Sequence, residues 1–325
     1  MNKLEKPWVE KYRPRKFDEI VSQSIAVNNL RKFTNSGNMP HLIFSGPAGT
    51  GKTSTALIIA REMIKRGEYF RNVLELNASD TVRMDYVRSV IKDFVSQKMI
   101  IDENSLKFII LDEADNIPGQ VQQALRRIME QASSNVKFIL LCNYINRIID
   151  PIVSRCAVFR FVNLPESKIT ERLKYIIKQE KIKFPQDKQE IFYKMLFFIS
   201  GGDLRRAINI LQMSVALELI ENLDLNEILR ISGFLDNTTL DKLINTIKTK
   251  DFKASKQIIE SVSNFDSRNF IKQLINILPK LNINNQNLNS IFSYIGTIDY
   301  RVSQGGDKNI QLTSLIAEII KNINN

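Results

Sequence analysis

The octapeptide GPAGTGKT at residues 46–53 constrains the fold of this chain more than any other stretch. It fits the pattern G-x-x-x-x-G-K-[ST], in which backbone N–H groups of a glycine-rich turn surround phosphates at the start of a helix. The apolar run HLIFSG (41–46) precedes it, and TSTALIIAREMIKR (53–66) follows it with helical periodicity. The sequence therefore predicts a strand, a phosphate-binding loop and a helix in that order.

The first half of the chain continues to alternate between apolar runs and helical patterns. Further strands are predicted at NVLELNA (72–78), KFIILDEAD (107–115), VKFILLCN (136–143) and AVFRF (157–161). Helices are predicted at MDYVRSVIKDFV (84–95) and VQQALRRIMEQA (121–132). Because continuous apolar strands that alternate with helices are typical of buried parallel sheets, we expect residues 1–163 to form an α/β domain.

The pattern after residue 163 is helical throughout. Ser167 is expected to cap the helix SKITERLKYIIKQEK, and Asp203, after a Gly-Gly stop, is expected to cap the helix LRRAINILQMSVAL. We therefore expect a small helical domain over residues 164–230 and a separate helical bundle over residues 231–325.

Composition excludes several classes of protein. With 43% hydrophobic and 25% charged residues, the chain is expected to be soluble and globular. Its N-terminus is charged and lacks the apolar core of a signal peptide. Cys142 and Cys156 are the only cysteines, which with a single histidine excludes a four-ligand zinc site and favours a reducing intracellular compartment. The net charge of +11 suits a polyanionic partner such as nucleic acid.

Four residues form a candidate set for ATP hydrolysis. Lys52 can reach the β- and γ-phosphates, and Thr53 can ligate Mg²⁺. Asp112 ends a buried strand, where it can hold Mg²⁺ through water, and Glu113 can orient and deprotonate the attacking water. A phosphate loop followed by such a carboxylate pair indicates an ATPase.

Other polar residues each allow two interpretations. Asn143 ends the strand FILLCN, where it holds either the nucleophilic water or a simple turn. Arg205 and Arg206 lie in the first turn of a helix, where the dipole disfavours cations, so one of them reaches the γ-phosphate or both form a surface pair. Arg155 follows an Asp-Pro turn and is expected at the rim of the domain. It is either a surface arginine at a strand entrance or one that reaches a nucleotide bound by another molecule.

The order of the motifs resembles that of replication factor C small subunits, the clamp-loader ATPases of the AAA+ class. The motifs are PWVEKYRP (7–14), GPAGTGKT, LDEAD, ALRR, CNY, SRC and GGDLRRAIN. The C-terminal IGTIDYRVSQGGDKNIQL is similar to the end of archaeal-type small subunits. The resemblance implies a RecA-like AAA+ domain with a parallel sheet, a helical lid and an all-α collar.

The resemblance also implies a function and its partners. The function is ATP-dependent opening of a PCNA-type sliding clamp and its loading onto primer–template DNA during replication. The partners are a large subunit and further small subunits in a pentameric ring, with ATP and Mg²⁺ as cofactors and no membrane. The expected location is the cytoplasm, at the nucleoid, of an archaeal cell, or the nucleus of a eukaryotic one.

Residue roles follow from the resemblance position by position. The implied ATP-binding residues are Val9, Tyr12, Arg13 and Pro14 around the adenine, and Gly46, Pro47, Ala48, Gly49, Thr50, Gly51, Lys52 and Thr53 around the phosphates. Asn143 and Arg205 become sensors of the nucleotide, and Arg155 becomes the finger that touches a neighbour's ATP.

The segment SDTVRMDYVR (79–88) departs from the family pattern. Val82 stands where the family has a DNA-contacting arginine, and Arg83 is the candidate replacement one position later. Arg88 and Lys92 match the family and lie four residues apart on one helix face, so both can point to a phosphate backbone. The alternative for this pair is an ordinary solvated helix face.

Three other functions compete with clamp loading. A metabolic kinase with the same loop would need a substrate-binding lid, and the helical C-terminal half and SRC motif count against it. Another AAA+ DNA machine, a branch-migration motor or an initiator, would share the ATP site. A scaffold that binds nucleotide without turnover is disfavoured by the intact Asp112 and Glu113.

Overall fold

The computed structural model describes residues 6–65, 67–78, 84–96, 106–132, 135–185, 188–262 and 265–323. The chain divides into two compact units, the first built from residues 1–181 and 200–209 and the second from residues 182–199 and 210–325. The expected domain boundaries at residues 163 and 230 remain a prediction.

The first unit contains a five-stranded parallel sheet. Its strands are β1 (His41–Ser45), β2 (Val73–Asn77), β3 (Lys107–Asp112), β4 (Val136–Cys142) and β5 (Cys156–Arg160). They lie in the order β2-β3-β4-β1-β5, which places β4 between β1 and β3. The carboxyl ends of β1, β4 and β3 are therefore neighbours, and the predicted parallel sheet is confirmed.

Among the described residues, eight helices accompany the sheet along the first part of the chain. These are α1 (Trp8–Lys11), α2 (Ser24–Ser36), α3 (Lys52–Met63), α4 (Tyr69–Asn72), α5 (Met84–Ser96), α6 (Gly119–Gln131), α7 (Asp150–Val153) and α8 (Glu166–Gln179). Short 3₁₀ turns occur at Phe17–Glu19, Ala114–Asn116 and Ile145–Arg147.

Both faces of the sheet are covered by apolar side chains. Along β3, Phe108 and Ile110 belong to the hydrophobic core that includes residues of α2 and α3. Ile109 and Leu111 point the other way, into the core that includes residues of α5 and α6. Since successive strand residues face opposite sides, a strand buried on both faces must be apolar at every position. This is the physical reason for the uninterrupted apolar runs in the sequence.

The second half of the chain folds into helices, and the described residues after β5 contain no strand. The helices are α9 (Gln189–Ser200), α10 (Leu204–Ala216), α11 (Leu219–Asn222), α12 (Leu225–Ile231), α13 (Asn237–Lys248), α14 (Phe252–Ser261), α15 (Ser267–Ile277), α16 (Asn285–Ser303) and α17 (Lys308–Asn322), with a 3₁₀ turn at Leu278–Lys280. Leu243, Phe270, Ile291 and Leu315 are fully buried in the core that α13 to α17 share. Among the described helices, none is long and apolar enough to cross a membrane.

Acidic caps mark several helix starts. Asp203 accepts a hydrogen bond from the Arg206 backbone N–H at 3.1 Å, which confirms its predicted role at the start of α10.

The predicted cap at Ser167 is wrong, because α8 begins at Glu166 and Pro165 occupies the capping position. Pro165 has an extended backbone there, and Glu166 places a carboxylate against the positive end of the helix dipole.

Asp236 supplies a test of one such cap in the second unit. Its carboxylate accepts hydrogen bonds from the Thr239 backbone N–H at 3.0 Å and from Arg230 Nε at 3.2 Å. Burial alone would raise the pKa of Asp236, but hydrogen bonds from Thr238, Thr239 and Arg230 hold the pKa well below its usual range. The ionised carboxylate therefore stabilises the fold above the unfolded-state pKa near 4, and this contribution is lost as pH falls toward the folded-state pKa.

We expect Asp236→Asn to lower the free energy of unfolding at pH 7 by about 1–2 kcal/mol, the scale of a helix cap with a charge-assisted hydrogen bond. The difference from wild type, measured by urea denaturation, should shrink progressively below about pH 4. Asp241→Asn, at an exposed position on the same helix, is the matched control and should change little. An equal loss in both variants, or a loss independent of pH, would contradict the assignment.

Candidate nucleotide-binding site

The phosphate loop is shaped by three glycines with positive φ. Gly46, Gly49 and Gly51 have φ angles of 145°, 68° and 99°, which side-chain-bearing residues rarely adopt. A Cβ at Gly46 would also collide with the backbone oxygen of Phe161, and one at Gly49 with the carboxylate of Asp203. The loop ends where α3 begins at Lys52, so it surrounds the positive end of a helix dipole.

Lys52 lies inside this loop. Its Nζ donates to the backbone oxygens of Gly46 at 2.6 Å and Pro47 at 2.8 Å, and to Asn143 Oδ1 at 3.2 Å. Burial lowers the pKa of Lys52, and the negative charge of Asp112 opposes that shift. The side chain is only 8% exposed, so its ammonium is fixed at the loop and joined to the end of β4.

Thr53 and Asp112 bring two oxygen donors together. Thr53 Oγ1 donates to Asp112 Oδ2 at 2.9 Å, and the Glu113 backbone N–H donates to Asp112 Oδ1 at 2.9 Å. A hydroxyl and a carboxylate are hard oxygen donors that suit Mg²⁺, which commonly takes one or two protein carboxylates and completes its shell with water and phosphate. Within the described ranges, no cluster of three or more His, Cys, Asp or Glu side chains forms a separate metal site.

Glu113 follows Asp112 in a left-handed backbone conformation. Its φ of 53° is uncommon for a residue with a side chain and costs conformational energy, as often found at functional sites. Its carboxylate accepts a hydrogen bond from Asn116 Nδ2 at 3.1 Å. The turn thus separates the carboxylates of Asp112 and Glu113, one fixed by Thr53 and the other by Asn116.

Asp115 supports Asn143, a role that sequence reasoning missed. Its Oδ2 accepts the backbone N–H groups of Asn143 at 3.2 Å and Tyr144 at 3.1 Å. Asp115 is 8% exposed and holds the turn after β4, while the Asn143 side chain accepts from Lys52. The sequence shows an aspartate two residues after Glu113, but it does not show that its partners, Asn143 and Tyr144, follow a different strand.

One pocket collects most of the predicted nucleotide residues. Its lining includes Val9, Tyr12, Arg13, Pro14, Ala48, Gly49, Thr50, Gly51, Lys52, Thr53, Asp112, Glu113, Asn143 and Arg205. Gly46 and Pro47 contribute through their contacts with Lys52. Of the arginine pair at the start of α10, the lining includes Arg205.

Sequence reasoning missed the apolar side of this pocket. Glu10, Ile20, Val21, Leu164, Leu204 and Ile208 also line it. Five of these six are aliphatic residues, which in a sequence are indistinguishable from ordinary core positions. An apolar wall beside a polar loop provides a surface for a base and a separate place for phosphates.

Arg155 is held by acceptors within its own chain. Its Nη2 lies 2.5 Å from Glu130 Oε1, and its Nη1 donates to the Pro151 backbone oxygen at 2.7 Å. Glu130 Oε1 also accepts from Arg126 Nε at 3.0 Å. The hydrogen bonds from Arg126 and Arg155 lower the pKa of Glu130. One carboxylate is therefore shared by two guanidinium groups, and Arg155 remains 35% exposed.

Arg155 lies at the amino ends of the strands, whereas the phosphate loop lies at their carboxyl ends. It immediately precedes β5, whose first residue Cys156 pairs with His41 at the start of β1. The phosphate loop follows Ser45 at the other end of β1. The predicted position at the rim is therefore observed, and both interpretations of Arg155 remain open.

The two cysteines are packing residues. Burial raises the pKa of the Cys142 thiol, and burial also raises that of Cys156 to about 12. Both thiols therefore stay protonated near neutral pH and are poor nucleophiles. Cys142 is 1% exposed at the end of β4, where it serves as a small core residue.

The predicted DNA-binding residues are described only in part. Lys92 is exposed on α5, while Ile91 and Phe94 of the same helix are buried in the core. Arg88 belongs to α5, but its side chain lies outside the described part of the structure. Arg83 lies outside the described residues altogether.

Comparison with known proteins gives consistent family matches. Residues 42–164 match the ATPase family associated with various cellular activities (AAA), and residues 236–318 match the replication factor C C-terminal domain. Replication factor C small subunit 1 of Pyrobaculum islandicum is 42% identical over 319 residues, covering 96% of this chain and 93% of the relative. The replication factor C small subunit of Archaeoglobus fulgidus is 38% identical over 314 residues, covering 95% and 96%.

A solved structure shares the fold at lower identity. The RuvB Holliday junction branch migration motor of Thermotoga maritima has a TM-score of 0.53 and 18% identity, covering 78% of this chain and 88% of the motor. At that identity the likeness concerns the fold alone.

The site geometry predicts that binding and hydrolysis of nucleotide can be separated. Lys52→Ala should abolish ATP binding, because the phosphate loop loses the ammonium group that lies inside it. Glu113→Gln should keep ATP affinity and reduce turnover by roughly 10²–10⁴, the range for loss of a general base. The measurements are equilibrium binding of a fluorescent ATP analogue and steady-state phosphate release. Wild-type turnover in Glu113→Gln would contradict the assignment of the base.

Proposed function

The chain belongs to the replication factor C small-subunit family, and on that premise we propose that it serves in a clamp loader that opens a PCNA-type sliding clamp and loads it onto primer–template DNA at the expense of ATP. The observation that supports this most strongly is that the family likeness runs through both the ATPase region and the C-terminal helices. A shared ATP fold alone would not distinguish a clamp loader from other AAA+ proteins.

The proposed hydrolysis uses groups that already meet at the carboxyl edge of the sheet. Loop N–H groups and Lys52 bind the phosphates, and Asn143 orients the attacking water. Thr53 and Asp112 would hold Mg²⁺, which neutralises phosphate charge when bound. Glu113 accepts the proton of the attacking water, and Arg205 reaches the γ-phosphate from the start of α10.

Arg155 is proposed to complete the site of a neighbouring subunit in a pentameric ring. Arg155 lies at the amino end of β5, away from the phosphate loop at the carboxyl ends of the strands, so it is suited to a neighbour's nucleotide rather than its own. Leaving Glu130 costs little, since Arg126 remains bound to the same carboxylate oxygen. The other ring members are a large subunit and further small subunits.

Basic residues of and before α5 are proposed to bind the DNA backbone. Arg83, Arg88 and Lys92 are the candidates, and the net charge of +11 supports a polyanionic partner. We propose that this activity takes place at the nucleoid of an archaeal cell, which the archaeal relatives support.

A clamp-retention assay tests the proposed function. The chain, assembled with its large subunit, should leave a labelled clamp on circular primed DNA only when ATP is present. Movement along DNA without any clamp would instead indicate a branch-migration motor, and the absence of both activities would contradict a DNA machine of either kind.

Arg155→Ala should leave the ATP affinity of the isolated chain intact and slow hydrolysis only in the assembled ring, by about 10³–10⁵ at the affected site. A ring with the substitution at one known position should lose activity at the neighbour's site and keep it at the mutant's own. Arg71→Ala, at an exposed position on α4, is the control. Loss at the mutant's own site would return Arg155 to a simple strand-entrance residue.

Replacing Arg88 and Lys92 together by Ala should weaken DNA binding equally across sequences and flatten its salt dependence by roughly one to two ions. ATPase activity without DNA should not change. Lys174 and Lys178, also four apart and exposed on α8, provide a matched control pair. An unchanged salt slope would identify the first pair as an ordinary solvated helix face.

A further inference from the structure

The N-terminal segment that lines the nucleotide pocket is tied to α8 by a group of five residues. Glu180 Oε1 accepts from the Tyr12 hydroxyl and lies 2.6 Å from Lys11 Nζ. Arg172 Nη2 donates to the backbone oxygen of Tyr12 at 2.7 Å. The rings of Tyr12 and Tyr175 meet edge to face with centroids 6.2 Å apart. We call Lys11, Tyr12, Arg172, Tyr175 and Glu180 the N-terminal latch.

The protonation states of Glu180 and Tyr12 favour the contacts within the latch. Burial alone would raise the pKa of Glu180, but hydrogen bonds from Lys11 and Tyr12 lower it below its usual value. Burial, followed by the bond to Glu180, raises the pKa of Tyr12, so its hydroxyl keeps its proton and remains a donor. The Glu180 side chain is 16% exposed, so water competes weakly for these contacts.

Arg172 is held in place by partial burial and by contacts with both tyrosines of the latch. Its Nε is buried and has no hydrogen-bond partner within the described structure, which costs free energy. Its guanidinium lies over the Tyr175 ring at 5.0 Å from the centroid, while Nη2 binds the Tyr12 carbonyl. This contact fixes the backbone of the pocket-lining segment rather than a side chain at its surface.

Three residues of the latch lie outside the pocket lining and contact the segment that forms it. Val9, Glu10, Tyr12, Arg13 and Pro14 line the pocket, whereas Arg172, Tyr175 and Glu180 are not among its lining residues. The segment begins in α1, a helix of only four residues whose Trp8 is buried. A segment that is already held in place loses less conformational freedom when a ligand binds, so affinity rises.

We infer that Glu180 and Arg172 are positioning residues for the nucleotide, which hold residues 9–14 in the binding arrangement and couple occupancy of the pocket to α8. The inference rests on the proposed role of residues 9–14 in binding the base. Because coupling is reciprocal, a bound nucleotide must also stabilise the latch and the end of α8.

Tyr12→Phe and Glu180→Gln test the inference on the isolated full-length chain with a fluorescent ADP analogue. Each should weaken binding by roughly three- to tenfold, which corresponds to the net contribution of one typical intramolecular hydrogen bond. Tyr12→Phe removes the hydrogen bond to Glu180, whereas Glu180→Gln keeps an oxygen that can accept this bond and removes the ion pair with Lys11. The double variant should therefore bind more weakly than either single variant. Arg172→Lys, which keeps the charge but loses the guanidinium fork, should shift the affinity in the same direction.

Glu171→Gln is the matched control. This exposed carboxylate on α8 pairs with Lys168 at 2.8 Å, and its loss should leave the affinity unchanged. Equal weakening in Glu171→Gln would show a general effect of charge and overturn the inference.

Hydrogen exchange separates positioning from a merely structural role. In wild type, ADP should slow exchange in both α3 and α8, while in Glu180→Gln it should protect α3 but no longer α8. A lower melting temperature with unchanged ADP affinity would overturn the inference. If Lys52→Ala abolishes ADP binding while Glu180→Gln binds ADP normally, the positioning role of the latch is wrong and the nucleotide site is supported. Normal ADP binding by Lys52→Ala would contradict the nucleotide site itself.

Discussion

The buried ammonium of Lys52 connects the separate parts of the nucleotide site. A charged group that is 8% exposed must be compensated, and the backbone oxygens of Gly46 and Pro47 provide that compensation. Those oxygens are available because glycine at position 46 permits the loop to turn tightly against Phe161. Asn143 reaches the same ammonium because β4 lies beside β1 in the sheet. The strand order thereby determines which side chains can act on one phosphate.

The same sheet also separates the nucleotide pocket from Arg155. The pocket lies at the carboxyl ends of the strands, and Arg155 lies at the amino end of β5, where Glu130 binds it. Under the proposed function, a subunit with a nucleotide site at one end of its strands and Arg155 at the other forms complete sites only with neighbours. The proposed ring is consistent with this geometry, in which Arg155 is partly exposed and shares the Glu130 carboxylate with Arg126. The latch extends the site in another direction, toward α8.

Much of the fold could be predicted because its signals are local. The glycine pattern, the apolar strands and the Asp-Glu pair each reflect short-range requirements, and the structure places strands and a phosphate loop where they indicate. The failures involve tertiary partners. Asp115 and Glu180 act on residues distant in sequence, and an acidic residue after a strand or helix carries no mark of its partner. The predicted cap at Ser167 is wrong because α8 begins one residue earlier, at Glu166, with Pro165 in the capping position. The sequence also could not link Glu130 to Arg155, because this ion pair is a tertiary contact between distant residues.

The central claim, that this ATPase is coupled to a sliding clamp, is tested most directly by steady-state phosphate release from the chain assembled with its large subunit. Primed DNA and a PCNA-type clamp added together should stimulate hydrolysis well beyond the sum of their separate effects, since a clamp loader engages both partners. Stimulation by DNA alone, with no further effect of the clamp, would contradict coupling to a clamp and favour a different AAA+ machine.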